Sequence, residues 1–199
     1  MVTILILIIT AFISISAFNN KNLFVKLQFN PYQVYYKKQW YRLITHGFIH
    51  ANWAHLIFNM ISFYFFATYV EQMFNSKILF IFFYLSGIII ASLTTLIKHK
   101  NNHWYNSVGA SGGVSAIIFA SILFEPFSKI IILPIPIPIP AIIYGLLFLA
   151  YSQYMSKRNT DNINHDAHFL GAVYGLVFPI LLNPNLIQHF FQKILTIFS

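Results

Sequence analysis

Three clusters of polar residues stand at the starts of long apolar runs. His46, His50, His55 and Asn59 form the first, Gly109-Ala-Ser-Gly-Gly-Val-Ser115 the second and His165-Asp-Ala-His168 the third. Polar groups are costly in hydrocarbon, so those placed near membrane-spanning segments carry a functional reading by default. Elimination narrows the chemistry. The 199 residues include no cysteine, which excludes a thiol nucleophile, a disulfide scaffold and a Cys-ligated metal. No glutamate stands among these histidines in the His-Glu-x-x-His spacing of a zinc protease. The four acids, Glu71, Glu125, Asp161 and Asp166, offer no intramembrane pair for an aspartyl dyad. What remains is a hydroxyl activated by a histidine. Ser111 is the best placed hydroxyl, because it opens a helix among glycines, where backbone N–H groups are free and the helix dipole favours a developing oxyanion. His168 opens a second apolar run, and Gly171 and Gly175 beside it allow close helix approach, which would bring its imidazole to Ser111 as a base.

The elements that must position these groups are membrane helices. Apolar residues make up 58% of the chain and charged residues 8%, against ~25% charged in an ordinary soluble domain. That balance excludes a water-soluble globule. Six runs approach the ~20 apolar residues needed to cross a bilayer: about 1–18, 52–74, 77–97, 109–125, 139–156 and 167–183. The runs are continuously apolar, which excludes a lipid-facing barrel. The first lacks a basic lead and a small-residue cleavage site, so it reads as a retained helix rather than a signal. In a six-span chain all even-numbered helices enter from one face, so the three clusters share a side and a depth. The connection at about 19–50 is rich in Tyr, Trp and Lys and belongs at the membrane interface. Pro126 to Pro140 holds five prolines, including the Pro134–Pro140 alternation with Ile, and reads as an extended connector. The tail from Pro184 to Ser199 places Leu186, Ile187, Phe190, Phe191, Ile194, Leu195 and Phe198 on one face of an interfacial amphipathic helix. With net charge +8 and aromatics embedded in apolar runs, the implied partner is an anionic membrane surface and not nucleic acid.

Gly109-Ala-Ser111-Gly112, His55-Leu-Ile-Phe-Asn59 and Ala167-His168-Phe-Leu-Gly171-Ala-Val-Tyr-Gly175 resemble the three signatures of the rhomboid family of intramembrane serine proteases. They occur in the family's order, on what would be helices four, two and six. Tyr41-Arg42 with His46, His50 and His55 resembles the family's Trp-Arg segment of the first loop, tyrosine standing for tryptophan. The resemblance implies an all-α, six-transmembrane-helix bundle over 1–183 with an interfacial first loop, followed by the tail 184–199. It implies Ser111 as nucleophile and His168 as general base, a dyad without a third acid. His55, Asn59 and the Ser111 backbone N–H are implied oxyanion donors, with Gly109, Gly112, Gly171, Gly175 and Arg42 in support. No cofactor or metal is implied. Many family members carry an aromatic residue four positions after the serine, packed on the histidine; here Ser115 stands there, and the sequence assigns nothing to hold the His168 ring.

Each feature has a plainer explanation. Gly109 and Gly113 form a small-xxx-small pattern that commonly serves helix packing. His46 and His50, one turn apart, allow a metal site, but histidines facing water or a carbonyl are commoner. Arg42 reads as an organiser of the first loop through backbone carbonyls. Asp166, two residues from His168, is too close to orient its ring easily. Nine Lys and Arg fall on the odd-loop face against three on the other, so the positive-inside rule and the family resemblance assign opposite orientations; the resemblance is preferred. The expectation is a multi-pass protein of the bacterial inner membrane that hydrolyses a peptide bond in or near transmembrane segments of membrane-protein substrates. The alternative is a catalytically silent rhomboid-like protein that binds or escorts such helices.

Overall fold

The computed structural model of the chain describes residues 1–132, 135–158, 161 and 163–196. Its helices are α1 (Val2–Phe18), α2 (Lys21–Leu27), α3 (Pro31–Lys37), α4 (Arg42–Thr45), α5 (Trp53–Phe74), α6 (Lys77–Ala91), α7 (Leu93–His99), α8 (Ser111–Phe124), α9 (Ala141–Arg158), α10 (His165–Leu182) and α11 (Asn185–Leu195). A 3-10 turn, His46–Phe48, precedes α5, and a hairpin of β1 (Lys129–Ile132) and β2 (Ile135–Pro140) precedes α9. Among the described residues three helical runs are long and apolar enough to cross a membrane: Trp53–Phe74, Lys77–His99 and His165–Leu182. Val2–Phe18 and Ser111–Phe124 are apolar but shorter.

Helix starts follow side-chain caps. Asn20, Asn30, Asn52, Ser76 and Asn164 each accept a backbone N–H two or three residues into the helix that follows, satisfying a donor the helix itself cannot. α5 stops at Asn75, which adopts the left-handed conformation (φ 48°) that asparagine tolerates better than most residues. α1 borrows its cap from a distance: the Glu71 carboxylate at the far end of α5 accepts the Val2 and Thr3 N–H groups at 2.7 and 2.8 Å and the Thr3 hydroxyl at 2.6 Å.

α8 is the centre of the molecule. Every residue from Gly112 to Phe124 is buried, with α5, α6, α9 and α10 packed around it and α11 against its end. A helix apolar on all sides is covered either by lipid or by other helices, and here other helices enclose it. At its C-terminus Lys193 of α11 donates to the Phe124 carbonyl at 3.2 Å and pairs with Glu125, a cation where helix carbonyls are unsatisfied.

The first loop is a folded layer rather than a simple connection. Buried Arg42 donates through Nη1 to the carbonyls of Val25 and Gln28 at 2.8 and 2.7 Å, and through Nε to Gln39 at 2.6 Å. Phe29 and Ser107 exchange backbone hydrogen bonds of 3.0 Å, which ties the loop to the segment leading into α8.

The proline-rich stretch is extended, but it is not a lone connector: β2 pairs antiparallel with β1, Ile130 opposite Ile139 and Ile131 opposite Pro138. Prolines confined to alternate positions can take the places whose N–H faces away from the partner strand, so the ladder loses no donor. Pro134 of the expected alternation, and Phe198 of the expected tail face, lie outside the described residues.

Candidate active site

Ser111 is the first residue of α8, and no side chain caps this helix. The N–H groups of Ser111, Gly112 and Gly113 therefore have no intrahelical partner and point towards whatever lies at the serine. Gly109 makes the turn that sets up this start. Its φ of +118° excludes side chains, and a methyl built on it would meet His55 Cε1 at 2.6 Å and Nε2 at 2.8 Å. Its N–H donates to the His46 carbonyl at 2.9 Å, which fixes the turn against the first loop.

α10 delivers the histidine. His168 Nε2 lies 2.8 Å from Ser111 Oγ, within reach for a proton transfer from the hydroxyl. Three features set the height and rotation of α10. Asn164 caps it through the Ala167 N–H (3.1 Å) and also accepts the Thr95 hydroxyl (3.0 Å) from α7. Asp166 takes both hydrogen bonds of Lys98 at 2.7 and 2.8 Å and one from Ser156 of α9; it joins three helices and does not touch His168. Gly171 and Gly175 lie directly on the backbone of α8, at Gly112 and Ala116. The ring of Phe148, from α9, lies over the His168 ring with centroids 6.0 Å apart and planes at 28°. His165 meets the same ring edge-on at 5.9 Å.

The first cluster surrounds the turn before Ser111. Ser14 of α1 donates its hydroxyl to the Phe48 carbonyl, so the 2.9 Å contact between His50 Nδ1 and Ser14 Oγ has the imidazole donating. His50 Nε2 then carries a lone pair and accepts the Ala110 N–H at 3.4 Å. His46 Nδ1 donates to the Arg42 carbonyl at 2.8 Å, and its Nε2 faces Ser92 Oγ at 3.2 Å. A cavity of about 20 Å³, lined among others by His46, Ser92, Gly109, Ser111 and Gly112, lies beside Ser111. It has room for about one water. His55 packs against Gly109, and buried Asn59 donates its side-chain amide to the His55 carbonyl at 2.9 Å. His55 thus lies against the turn before Ser111, while Asn59 is occupied with its own helix.

His46, which faces the Arg42 carbonyl as expected, and His50 are both buried, and burial pushes their imidazoles down to about 4 and about 3; for His50 the neighbouring His55 adds to the effect. In the unfolded chain both titrate near 6.5. The unfolded state therefore binds more protons below that value, and the stability these residues contribute is complete above about 6.5 and lost as pH falls from there towards 4 and 3. Protonated His50 would also turn an N–H towards the Ala110 N–H, one residue before the serine. The melting temperature in mild detergent should fall steadily between pH 7 and pH 4.5, and His46→Gln should flatten that slope. An equally steep slope in the variant would remove His46 as its origin.

Asn59→Ala and His55→Ala should remain folded and keep Ser111 reactive to a serine probe. Each should lose ~10²-fold to 10³-fold in turnover of a transmembrane substrate if it serves an oxyanion, the usual cost of one donor. Failure of either variant to insert or fold would make that residue structural instead.

Two further histidines serve the loops: His99 stacks on Tyr105 at 3.9 Å and His103 meets Tyr32 at 4.0 Å. Among the described residues no group of three His, Asp or Glu is arranged to hold a metal ion. Sequence reasoning passed over Ser14, Ser92, Asn164 and Phe148. Ser14 shared its signal, a hydroxyl inside an apolar run, with Thr3, Thr10 and Ser16, whereas Asn164 stood in N-cap position before an apolar run. Phe148 had none, being one phenylalanine among 22.

The profile of the Rhomboid domain matches residues 37–185. The chain is 32% identical over 152 residues to the putative rhomboid protease YdcA of Bacillus subtilis (strain 168), covering 72% of this chain and 67% of that protein. It is 29% identical over 150 residues to RHOMBOID-like protein 12, mitochondrial, of Arabidopsis thaliana, covering 68% and 44% respectively. It is 28% identical over 137 residues to rhomboid protease GluP of Bacillus subtilis (strain 168), covering 69% and 25%. The chain thus spans less than half the length of two of these three relatives.

Proposed function

The chain belongs to the rhomboid family, and on that premise we propose that it is an intramembrane serine protease of six spans, cutting a peptide bond in or near transmembrane segments of membrane proteins. One observation carries the reading: Ser111 Oγ stands 2.8 Å from His168 Nε2 at an uncapped helix start. In the proposed reaction Ser111 Oγ attacks the substrate carbonyl carbon while its proton passes to His168 Nε2. The carbonyl oxygen takes the negative charge and is met by the free N–H groups of the first turn of α8. Collapse breaks the C–N bond and His168 gives its proton to the leaving amine; a water deprotonated by His168 then attacks the acyl carbon, and the bond to Ser111 Oγ breaks as His168 returns the proton to that oxygen.

The depth of the site favours such a substrate. α8 has 14 residues, so it is ~21 Å long against a hydrocarbon core of ~30 Å. With its C-terminal end at one membrane face, Ser111 lies below the other. A substrate helix must unwind to present its carbonyl there, so substrates with Gly, Pro or other weak helix formers near the cleaved bond are expected. The alternative of a silent helix-binding protein keeps some support from relatives named only as rhomboid-like, yet this chain retains both Ser111 and His168. The deciding experiment is reaction of the purified protein with a fluorophosphonate serine probe. Labelling that disappears in Ser111→Ala supports the protease; no labelling of the folded wild-type protein favours the silent reading.

A further inference from the structure

The His168 ring has one side-chain hydrogen-bond partner among the described residues, Ser111. A single bond at Nε2 leaves the imidazole free to swing about its two side-chain torsions, and a base that swings is aligned with the hydroxyl only part of the time. Something must limit the plane of the ring. Asp166 does not, because its carboxylate is taken by Lys98 and Ser156. Ser115, one turn along α8 from Ser111, has no ring to offer. His165 touches the imidazole only edge-on, with planes at 77°.

Phe148 meets the requirement. Its ring lies nearly parallel to the imidazole, 28° between planes and 6.0 Å between centroids, within the range of offset stacking. It is itself held on two sides: Phe119 of α8 lies 5.6 Å away, and Tyr144, one turn earlier on α9, lies 5.7 Å away. Phe119 belongs to the helix that begins with Ser111, so the phenylalanine refers the base to the nucleophile's own helix. We propose that Phe148 is the positioning residue that sets the ring plane of His168, and that α9 thereby controls how often the base is aligned with Ser111. The inference rests on the protease reading only in giving that alignment a catalytic use; the ring contact itself is separable from it.

Phe148→Leu keeps an apolar side chain of similar reach and removes the ring face, whereas Phe148→Tyr keeps the face. In thermal melts both variants should remain folded. Phe148→Leu should lose roughly tenfold in kcat with KM unchanged, the scale expected when one aromatic pair no longer favours the aligned state. Its labelling by the fluorophosphonate should slow by the same factor, and Phe148→Tyr should restore both. A second reading needs no activity. In histidine-labelled protein carrying Ser111→Ala, the His168 ring protons, assigned by their absence in His168→Gln, should lie upfield under the Phe148 ring. They should move downfield in Phe148→Leu and stay in Phe148→Tyr. Wild-type labelling rate in Phe148→Leu, equal loss in Leu and Tyr variants, or His168 resonances indifferent to the leucine would each overturn the proposal. Absence of Ser111 labelling in the wild-type protein would instead overturn the protease reading, with the resonances still deciding the ring contact.

Discussion

Ser111→Ala and His168→Ala should each bring cleavage of a model transmembrane substrate to background while the protein stays folded and inserted, and the double variant should be no worse than either. The expectation follows from the 2.8 Å contact between the two side chains. In the proposed reaction nucleophile and base share one proton transfer, so removing either removes the step, and members of such a unit are grossly non-additive. Neither change should disturb the fold. Ser111 sits at a helix start that no side chain caps, so loss of its hydroxyl withdraws no cap. His168 makes its side-chain hydrogen bond only to Ser111 among the described residues, and α10 is held by Asn164 and Asp166 instead. The measurement is turnover in detergent or vesicles together with a thermal melt of each variant. Additive losses, or cleavage by Ser111→Ala above background, would discard the dyad.

Much of the architecture was readable because apolar length and capping act locally. The expected run 52–74 is Trp53–Phe74, capped by Asn52, and 109–125 is Ser111–Phe124. The run at 77–97 continues to His99 and breaks at Ser92, whose hydroxyl donates back to the Ile88 carbonyl at 3.0 Å and faces His46 Nε2 at 3.2 Å. The role of Arg42 as organiser of the first loop was legible from its type and place, but the carbonyls of Val25 and Gln28 that it meets were not, since every residue has one. The hairpin at 129–140 was not legible because proline ordinarily argues against strand pairing, whereas its alternate spacing here permits it. At the site, types and spacing pointed to Ser111 and His168, because few residues can perform the chemistry. The group on the imidazole face was not readable, because any of many aromatic residues could be brought there and only the seat of α9 selects Phe148.

Gly171→Ala and Gly175→Ala should be the most damaging single-methyl changes in the protein. A methyl at Gly171 would be driven into the Gly112 carbonyl, and one at Gly175 into the Ala116 carbonyl. Both obstacles are backbone of the buried helix α8, which cannot turn aside as a side chain can, so α10 must back away. A shift of ~1 Å at a catalytic contact can cost ~10²-fold. Gly171, one turn from His168, should therefore lose at least that much turnover. Gly175, a further turn away, should lose less activity but a comparable amount of thermal stability. Gly145→Ala is the control, because a methyl there meets the side-chain tip of Ile122 at 3.1 Å, which a small rotation relieves. Turnover per folded molecule, with the folded fraction taken from size-exclusion chromatography, separates misalignment from simple loss of protein. If Gly171→Ala proves as active as Gly145→Ala, the close seating of α10 on α8 is not what holds His168 to Ser111. The alignment would then have to come from the Asn164 and Asp166 contacts at the start of α10 alone.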